Sequence, residues 1–252
     1  MQILGVDVGG SSIKAAQVDV ETARIGKRIE RACPDGFGCE AIVEIIADLV
    51  DELGGDEAVG VGFPAVVQNG VVRSPATSHQ VVEWMDFELS SVLSERVGRR
   101  VAVLNDGDAA GLSEMRFGAG ENRDGVVMVF TLGTGIGSAL FIDGVIVPNL
   151  ELGRLYLGGQ ALVAEYQAAA RVRTDEELSW SEWTSRMQRY FSHIERVFSP
   201  EFIIVGGGVS DEYDNWMPGL DLRAEIVPAA MRNNAGLIGA ALAATAGGVA
   251  DS

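Results

Sequence analysis

The chain has 252 residues, of which 47% are hydrophobic and 22% charged, a composition typical of a folded globular protein. Its formal net charge is −17, with no run of Lys or Arg, which argues against nucleic acid or an anionic membrane as a partner. Two cysteines and the absence of a long apolar stretch predict neither a disulfide framework nor a membrane span. The first residues are typical of a strand and not of a signal peptide, so we expect a cytoplasmic protein.

The first part of the chain predicts alternating strands and helices with glycines at the turns. Short apolar runs indicate the strands, and apolar residues at helical spacing indicate the helices. In chain order the predicted elements are strands at residues 3–8, 13–20 and 26–31, a helix at 40–53 ended by Gly54 and Gly55, a strand at 58–63, a hairpin across Asn69 and Gly70, a helix at 87–97 and a strand at 100–104.

The second part of the chain repeats this order. The predicted elements are a helix at 107–117, strands at 126–132, 138–142 and 145–147, a long helix at 179–197, a strand at 201–205 and a helix at 235–244. A strand, a glycine turn and a second strand thus occur twice, from Ile3 and from Val126. Two similar α/β lobes of this kind are typical of the actin-like ATPase fold, also called hexokinase-like or ribonuclease H-like. We expect this two-lobed fold with an interlobe cleft, with a small lobe of residues 1–105 and 235–252 and a large lobe of residues 106–234.

The first glycine turn follows a strand that ends in an acid. Backbone N–H groups in glycine turns can approach phosphate oxygens closely, and a carboxylate beside them suits a hydrated Mg²⁺. The candidate phosphate-binding residues are Asp7, Gly9, Gly10, Ser11, Ser12 and Lys14, with Asp7 placed to hold Mg²⁺ through the phosphates. Taken alone, a plain hairpin turn with an incidental acid explains the segment equally well.

A second glycine turn occupies the equivalent place in the second repeat. A strand follows it, whereas a dinucleotide-binding unit needs a helix there, so a Rossmann site is rejected. Two such turns favour phosphate binding, and the second set comprises Thr131, Gly133, Thr134 and Gly135. A third cluster comprises Gly206, Gly207 and Gly208. It is a candidate for contacting the nucleoside or the distal part of the donor, and the alternative is a plain glycine entry into a helix.

An acidic segment between the two repeats is the candidate for proton transfer. Asp106 follows a predicted strand and opens a predicted helix. Phosphorylation of a hydroxyl requires a carboxylate that accepts its proton, which makes Asp106 the candidate catalytic base. A helix cap formed by Asn105 or Asp106 is the alternative.

Several of these segments resemble the ROK family of sugar kinases. The resemblance is carried by segments at Asp7, Asn105, Thr131, Glu151 and Gly206. Residues 132–140 and 147–153 are especially similar to the polyphosphate glucokinase branch of that family, and residues 178–201 and 227–240 extend the likeness over nearly the whole chain.

The resemblance implies a dimeric kinase that transfers a phosphoryl group from polyphosphate or ATP, with Mg²⁺, to a hexose, at the 6-hydroxyl of glucose. It implies that Asp106 is the catalytic base and that the partners are the hexose and the phosphoryl donor. The implied sugar-binding residues are Thr77, Asn105, Asp106, Glu151 and Arg154. The strong negative charge of the chain opposes the approach of a polyanionic donor.

The sequence also departs from the family pattern. The family has Glu-x-Gly-His where this chain has Glu151 to Arg154, and it has Asn where this chain has Thr77. Asp211 and Glu212 are acidic where the family is basic. The alternative function is therefore a catalytically weakened sugar-binding or regulatory ROK relative with altered acceptor specificity.

Overall fold

The computed structural model describes residues 1–55, 57–77 and 79–245. Ser78 and residues 246–252, the end of the predicted small lobe, lie outside the described residues. Within the described part of the chain, no helix combines the length and the apolar character needed to cross a membrane.

The strands and helices have the following bounds. The strands are β1 (Gln2–Val8), β2 (Ser12–Asp19), β3 (Arg24–Ala32), β4 (Val59–Phe63), β5 (Val67–Gln68), β6 (Val71–Val72), β7 (Val101–Asn105), β8 (Val126–Leu132), β9 (Ile136–Ile142), β10 (Val145–Val147), β11 (Phe202–Gly206) and β12 (Glu225–Pro228). The helices are α1 (Cys39–Leu53), α2 (Leu89–Val97), α3 (Asp106–Phe117), α4 (Glu165–Ala168), α5 (Ala170–Asp175), α6 (Trp180–Phe198) and α7 (Ala235–Ala243).

The chain divides into two compact units. Among the described residues, the first comprises Met1–Ser113 with residues 234–245, and the second comprises Glu114–Asn233. The division falls inside α3, whereas the sequence prediction places it at the start of this helix.

The two units contain sheets of the same topology. The first sheet has the strand order β3-β2-β1-β4-β7, and the second has the order β10-β9-β8-β11-β12. In each sheet the three strands at one side are antiparallel and the remaining neighbours are parallel. The repeat predicted from the sequence is thus present, and each of the first two glycine turns joins a central strand to its antiparallel neighbour.

Each sheet is covered by apolar side chains with a few anchored aromatic rings. In the first unit, Trp84 is fully buried, its indole N–H donates to the carbonyl of Phe37 at 2.8 Å, and its ring lies 4.5 Å from that of Phe63. In the second unit, Phe130 on β8 contacts Tyr190 and Phe191 of α6 edge to face. The ring contacts of Phe130 hold α6 on the second sheet, and the hydrogen bond of Trp84 joins two connecting segments of the first unit.

Helix α7 packs on the first sheet through direct backbone contact. A β-carbon on Gly60 of β4 would overlap the carbonyl oxygen of Ala240, and one on Gly5 of β1 would overlap that of Leu237. A β-carbon on Gly239 of α7 would in turn overlap the carbonyl oxygen of Ala109 in α3. Gly5 and Gly60 let α7 approach β1 and β4, and Gly239 lets it approach α3, more closely than any other residue would allow.

We predict that Gly60→Ala destabilises the protein by about 2–3 kcal/mol or more, because overpacking here displaces backbone and not a flexible side chain. Urea unfolding followed by circular dichroism measures the effect. The control is Gly158→Ala, where the added β-carbon has no neighbour within 4 Å, and we expect a change within about 0.5 kcal/mol. Equal midpoints for the two variants would contradict this account of α7 packing.

Candidate active site

The first glycine turn is held by backbone hydrogen bonds. Gly9 N donates to Ser12 O at 2.9 Å, and Cys33 N donates to Ser11 O at 3.0 Å, which ties the turn to β3 and the residues after it. Gly10 and Ser11 are exposed, and a β-carbon on Gly10 would meet nothing within 4 Å. The turn is therefore fixed at its base and open at its tip.

Asp7 and Lys14 form an ion pair beside this turn. They face each other in the register of β1 and β2, and Lys14 Nζ lies 3.8 Å from Asp7 Oδ2. Burial raises the pKa of the Asp7 carboxyl, and the positive charges of Lys14 and Arg28 oppose that rise only in part. A β-carbon on Gly236 of α7 would come within 2.6 Å of the Asp7 carboxylate, so the glycine leaves room for this side chain.

The end of β7 positions Asn105 and Asp106. Asn105 is buried; its Oδ1 accepts from Gly107 N at 2.8 Å and from Asp108 N at 3.1 Å, and its Nδ2 donates to Ala65 O at 3.1 Å. Asn105 therefore caps α3. Asp106 Oδ1 accepts from Gly107 N at 2.8 Å, and its side chain remains partly accessible.

Thr77 is fixed to the same backbone segment that Asn105 contacts. Thr77 N donates to Pro64 O at 2.8 Å, next to the Ala65 carbonyl that accepts from Asn105. Thr77 is buried and has a φ of 59°. The left-handed region is unfavourable for a β-branched residue, and Asn adopts it more readily. The first unit thus brings Thr77, Asn105 and Asp106 together around the end of β4.

In the second unit, the second and third glycine clusters lie against each other. Gly206 of β11 pairs with Thr131 of β8. Gly207 has a φ of 88°, and a β-carbon there would overlap the carbonyl oxygen of Leu132. Gly133 N donates to Gly135 O at 3.1 Å, and Gly133 O accepts from Arg171 N at 3.1 Å.

These two clusters open into a pocket of about 390 Å³. Gly133, Thr134 and Gly208 line one part of it, and Arg171 and Arg173 of α5 line another. The sequence predicted the glycines but not the arginines, because α5 has only six residues and no amphipathic pattern. The only signal was an Arg-x-Arg pair in a strongly acidic chain.

The candidate sugar segment after β10 is an ion-pair cluster. Arg154 Nε lies 3.6 Å from Glu151 Oε2, and its Nη1 lies 3.9 Å from Oε1 of Glu165 on α4. The Glu165 side chain is only 7% exposed. Burial and, second, the Glu165 carboxylate raise the pKa of the Tyr190 hydroxyl well above its usual value. Glu165 was not predicted, because the four-residue helix α4 has no sequence signature.

Asp7 is a residue that could hold Mg²⁺ together with substrate phosphates. Magnesium keeps several waters and is bound through one or two carboxylates together with substrate phosphates. A half-buried carboxylate beside an open glycine turn matches that requirement. Among the described residues no group of three or more His, Cys, Asp or Glu is placed to hold a metal ion without substrate.

Comparisons with known proteins identify the family of the chain. The ROK family profile matches residues 3–148. The chain belongs to the ROK family. It is 41% identical to the polyphosphate glucokinase of Mycobacterium tuberculosis over 244 residues, which cover 96% of this chain and 91% of that protein.

Solved structures of ROK proteins have the same fold. The inorganic polyphosphate/ATP-glucomannokinase of Arthrobacter sp. strain KM is 44% identical, with a TM-score of 0.91 over 96% of this chain and 98% of that one. The ROK glucokinase of Streptomyces griseus, in complex with glucose and AMPPNP, is 27% identical with a TM-score of 0.78, over 96% of this chain and 98% of that one. The sequence prediction of a ROK kinase with the actin-like α/β fold is confirmed.

We predict that Asp7→Asn stabilises the protein at neutral pH in buffer that contains EDTA. The folded-state pKa of Asp7 is raised, so ionisation destabilises the fold as the pH rises above the usual value of 3.8. Below that value the carboxyl is protonated in both states and the difference disappears. Thermal unfolding from about pH 4 to pH 7 should therefore show a melting-temperature gain that grows with pH.

The matched control for this measurement is Asp35→Asn, which changes the same charge at an exposed position. We expect that variant to show no comparable pH-dependent gain. A wild-type protein that is more stable than Asp7→Asn at neutral pH would show that the Lys14 ion pair outweighs the burial of Asp7.

Proposed function

We propose that this chain is a hexose kinase that transfers a phosphoryl group from polyphosphate or ATP to a sugar hydroxyl, with the 6-hydroxyl of glucose as the first candidate. The observation that carries the proposal is the 41% identity to a polyphosphate glucokinase over 96% of the chain. The similarity to a polyphosphate/ATP-glucomannokinase supports the choice of donors and a hexose acceptor.

We assign donor binding to the two glycine turns. Gly9, Gly10, Ser11 and Ser12 with Lys14 in the first unit, and Thr131, Gly133, Thr134 and Gly135 in the second, would contact the phosphates through backbone N–H groups and short polar side chains. Asp7 would hold Mg²⁺ through the phosphates, and the metal, when bound, neutralises charge that develops on the transferred group. Gly206, Gly207 and Gly208 would lie near the nucleoside or the distal part of the donor.

Asp106 is assigned as the general base. Its carboxylate would accept the proton of the sugar hydroxyl as the hydroxyl oxygen attacks the phosphorus atom. The bond from that phosphorus to the bridging oxygen of the donor would break, and ADP or the shortened polyphosphate would leave. Asn105 supports this role, because it supplies two cap bonds to α3 and leaves Asp106 partly accessible. The sugar contacts are assigned to Thr77, Asn105 and Asp106 in the first unit and to Glu151 and Arg154 in the second. By its family resemblance the protein is proposed to be a cytoplasmic homodimer.

A weakened sugar-binding or regulatory relative is the second candidate. The ion pair between Arg154 and Glu151 favours it, because a carboxylate that is paired with a guanidinium is less available to sugar hydroxyls. A coupled assay that combines several hexoses with ATP and with polyphosphate separates the two candidates. Turnover with any pair supports the kinase, and sugar binding without turnover supports the second candidate.

We predict that Asp106→Asn lowers kcat by about two or more orders of magnitude, because the amide cannot act as a general base. Asn remains a good residue at a helix start, so the melting temperature should hardly change. Steady-state kinetics with the preferred pair of substrates measures the effect. The exposed Asp124→Asn provides the matched control. If Asp106→Asn keeps the wild-type kcat, Asp106 is not the general base and serves only at the start of α3.

We predict that Arg154→His improves kcat/KM for glucose by roughly tenfold, the scale of one good hydrogen bond to a charged group. The histidine removes the guanidinium from Glu151 and can accept as well as donate a hydrogen bond. Kinetics with glucose and a saturating donor measures the gain. Arg186→His on α6 is the control, because that arginine pairs with Glu176 instead.

Combining Arg154→His with Thr77→Asn should add to this gain. Asn tolerates the φ of 59° that Thr77 adopts, so Thr77→Asn should also raise the melting temperature. The contrary outcome is a wild type that phosphorylates glucose efficiently, with a kcat/KM that neither substitution changes. That result would show that Arg154 does not limit the acceptor site.

A further inference from the structure

The pocket beside the second glycine turn carries positive charge in a chain whose net charge is −17. Arg171 and Arg173 line it together with Trp180, and Glu212 contributes the single carboxylate among the lining residues. Arginine side chains that line a pocket next to a predicted phosphate turn indicate an anionic ligand, because the planar guanidinium group matches the geometry of phosphate oxygens.

Arg171 is tied to the phosphate turn by its own backbone. Its N–H donates to Gly133 O at 3.1 Å, which fixes the start of α5 relative to the turn. Its side chain forms an ion pair with Asp175 at 3.8 Å, and that carboxylate is 65% exposed. Such an exposed pair contributes little, so a phosphate can replace it at small cost.

Arg173 is held in place by stacking. Its guanidinium carbon lies 3.6 Å from the centre of the Trp180 ring, and Trp180 contacts Trp183 edge to face. Trp183 is anchored by a hydrogen bond from its indole N–H to Ala168 O at 3.0 Å. Arg173 Nε is buried and has no hydrogen-bond partner among the described residues. A buried donor without an acceptor is unfavourable, and a ligand oxygen would satisfy it.

We infer that Arg171 and Arg173 form a subsite for the inorganic phosphate chain of polyphosphate, where they bind phosphate groups beyond the one that is transferred. This inference rests on the proposed function. A nucleoside base carries no negative charge with which these guanidinium groups can pair. Each phosphate group of polyphosphate carries such a charge.

The residues after the third glycine cluster are acidic and do not supply the positive charge of the pocket. Asp211 pairs with Arg232 at 3.6 Å, and Glu212 faces the pocket, where relatives are expected to carry basic residues. In this chain the positive charge of the pocket comes from α5 instead. The local positive field of these arginines opposes the repulsion that the net negative charge of the chain exerts on polyphosphate.

Isothermal titration calorimetry with short-chain inorganic polyphosphate tests the subsite without requiring catalysis. Wild type, Arg171→Gln and Arg173→Gln are compared, and Arg196→Gln is the matched control because it removes the same charge from an exposed site on α6. Arg196 is sixteen residues from Trp180, which is about 24 Å along the helix. We expect each pocket variant to weaken binding by about tenfold or more and the control to leave it unchanged.

Kinetics with each donor separates the subsite from the proposed function. Arg173→Gln should raise KM for polyphosphate by about tenfold and change KM for ATP by less than about threefold. Equal losses with both donors, or unchanged polyphosphate affinity in the pocket variants, would overturn the subsite while leaving the kinase assignment intact. Polyphosphate binding that depends on both arginines in a protein without kinase activity would support the subsite and refute the function.

Two further variants guard against misfolding. Arg173→Lys retains the charge and should recover most of the polyphosphate affinity that Arg173→Gln loses. Glu212→Gln removes the carboxylate from the pocket and should tighten polyphosphate binding several-fold, which damage to the fold would not do. Glu121→Gln, at an exposed position, is the matched control. Unchanged or weaker binding by Glu212→Gln would contradict the subsite.

Discussion

Close contact between backbones, at positions where no β-carbon fits, is the constraint on which the candidate site depends. Gly60 lets α7 rest on β4, and Gly207 lets the third glycine cluster touch the carbonyl of Leu132. Gly153 allows a similar approach to Ile136, so the acceptor segment lies against the start of β9. Protein interiors are close-packed and do not deform continuously, so these contacts fix the position of each turn.

The groups that we propose for donor binding and the Arg154 cluster are held in place by different physical means. The donor turns use backbone atoms whose positions follow from strand pairing, as between Gly206 and Thr131. Arg154, one of the proposed sugar contacts, is instead held by other side chains, between Glu151 and Glu165. A site made of backbone atoms keeps its geometry through most side-chain substitutions, provided that its glycines are preserved. The geometry and charge of an ion-pair cluster change whenever one of its side chains is exchanged. This contrast fits the sequence, where the glycine turns match the family pattern and the acceptor positions depart from it.

The sequence predicted those features that depend on local pattern. Both hairpins around the glycine turns, the long helix α6 and the position of Asp106 follow from apolar periodicity and glycine placement. Strand β12 was missed because it has four residues, is partly exposed and ends in Pro228. Helices α4 and α5 were missed because they are too short to show a period, and with them Glu165, Arg171 and Arg173. Contacts between residues distant in sequence, such as Asn105 with Ala65, cannot be derived from spacing.

The Arg154 cluster has a consequence for how the acceptor site can evolve. Glu165 is almost fully buried, and Arg154 is its cationic neighbour at 3.9 Å. A buried carboxylate that loses such a neighbour is strongly unfavourable. Positions 154 and 165 are therefore coupled: exchanging the arginine for an uncharged residue, as in Arg154→His, lowers the stability of the fold unless the carboxylate is neutralised or acquires another donor. Changes at position 154 that alter the proposed acceptor preference are thus expected to lower stability, and a compensating change at position 165 is expected to restore it.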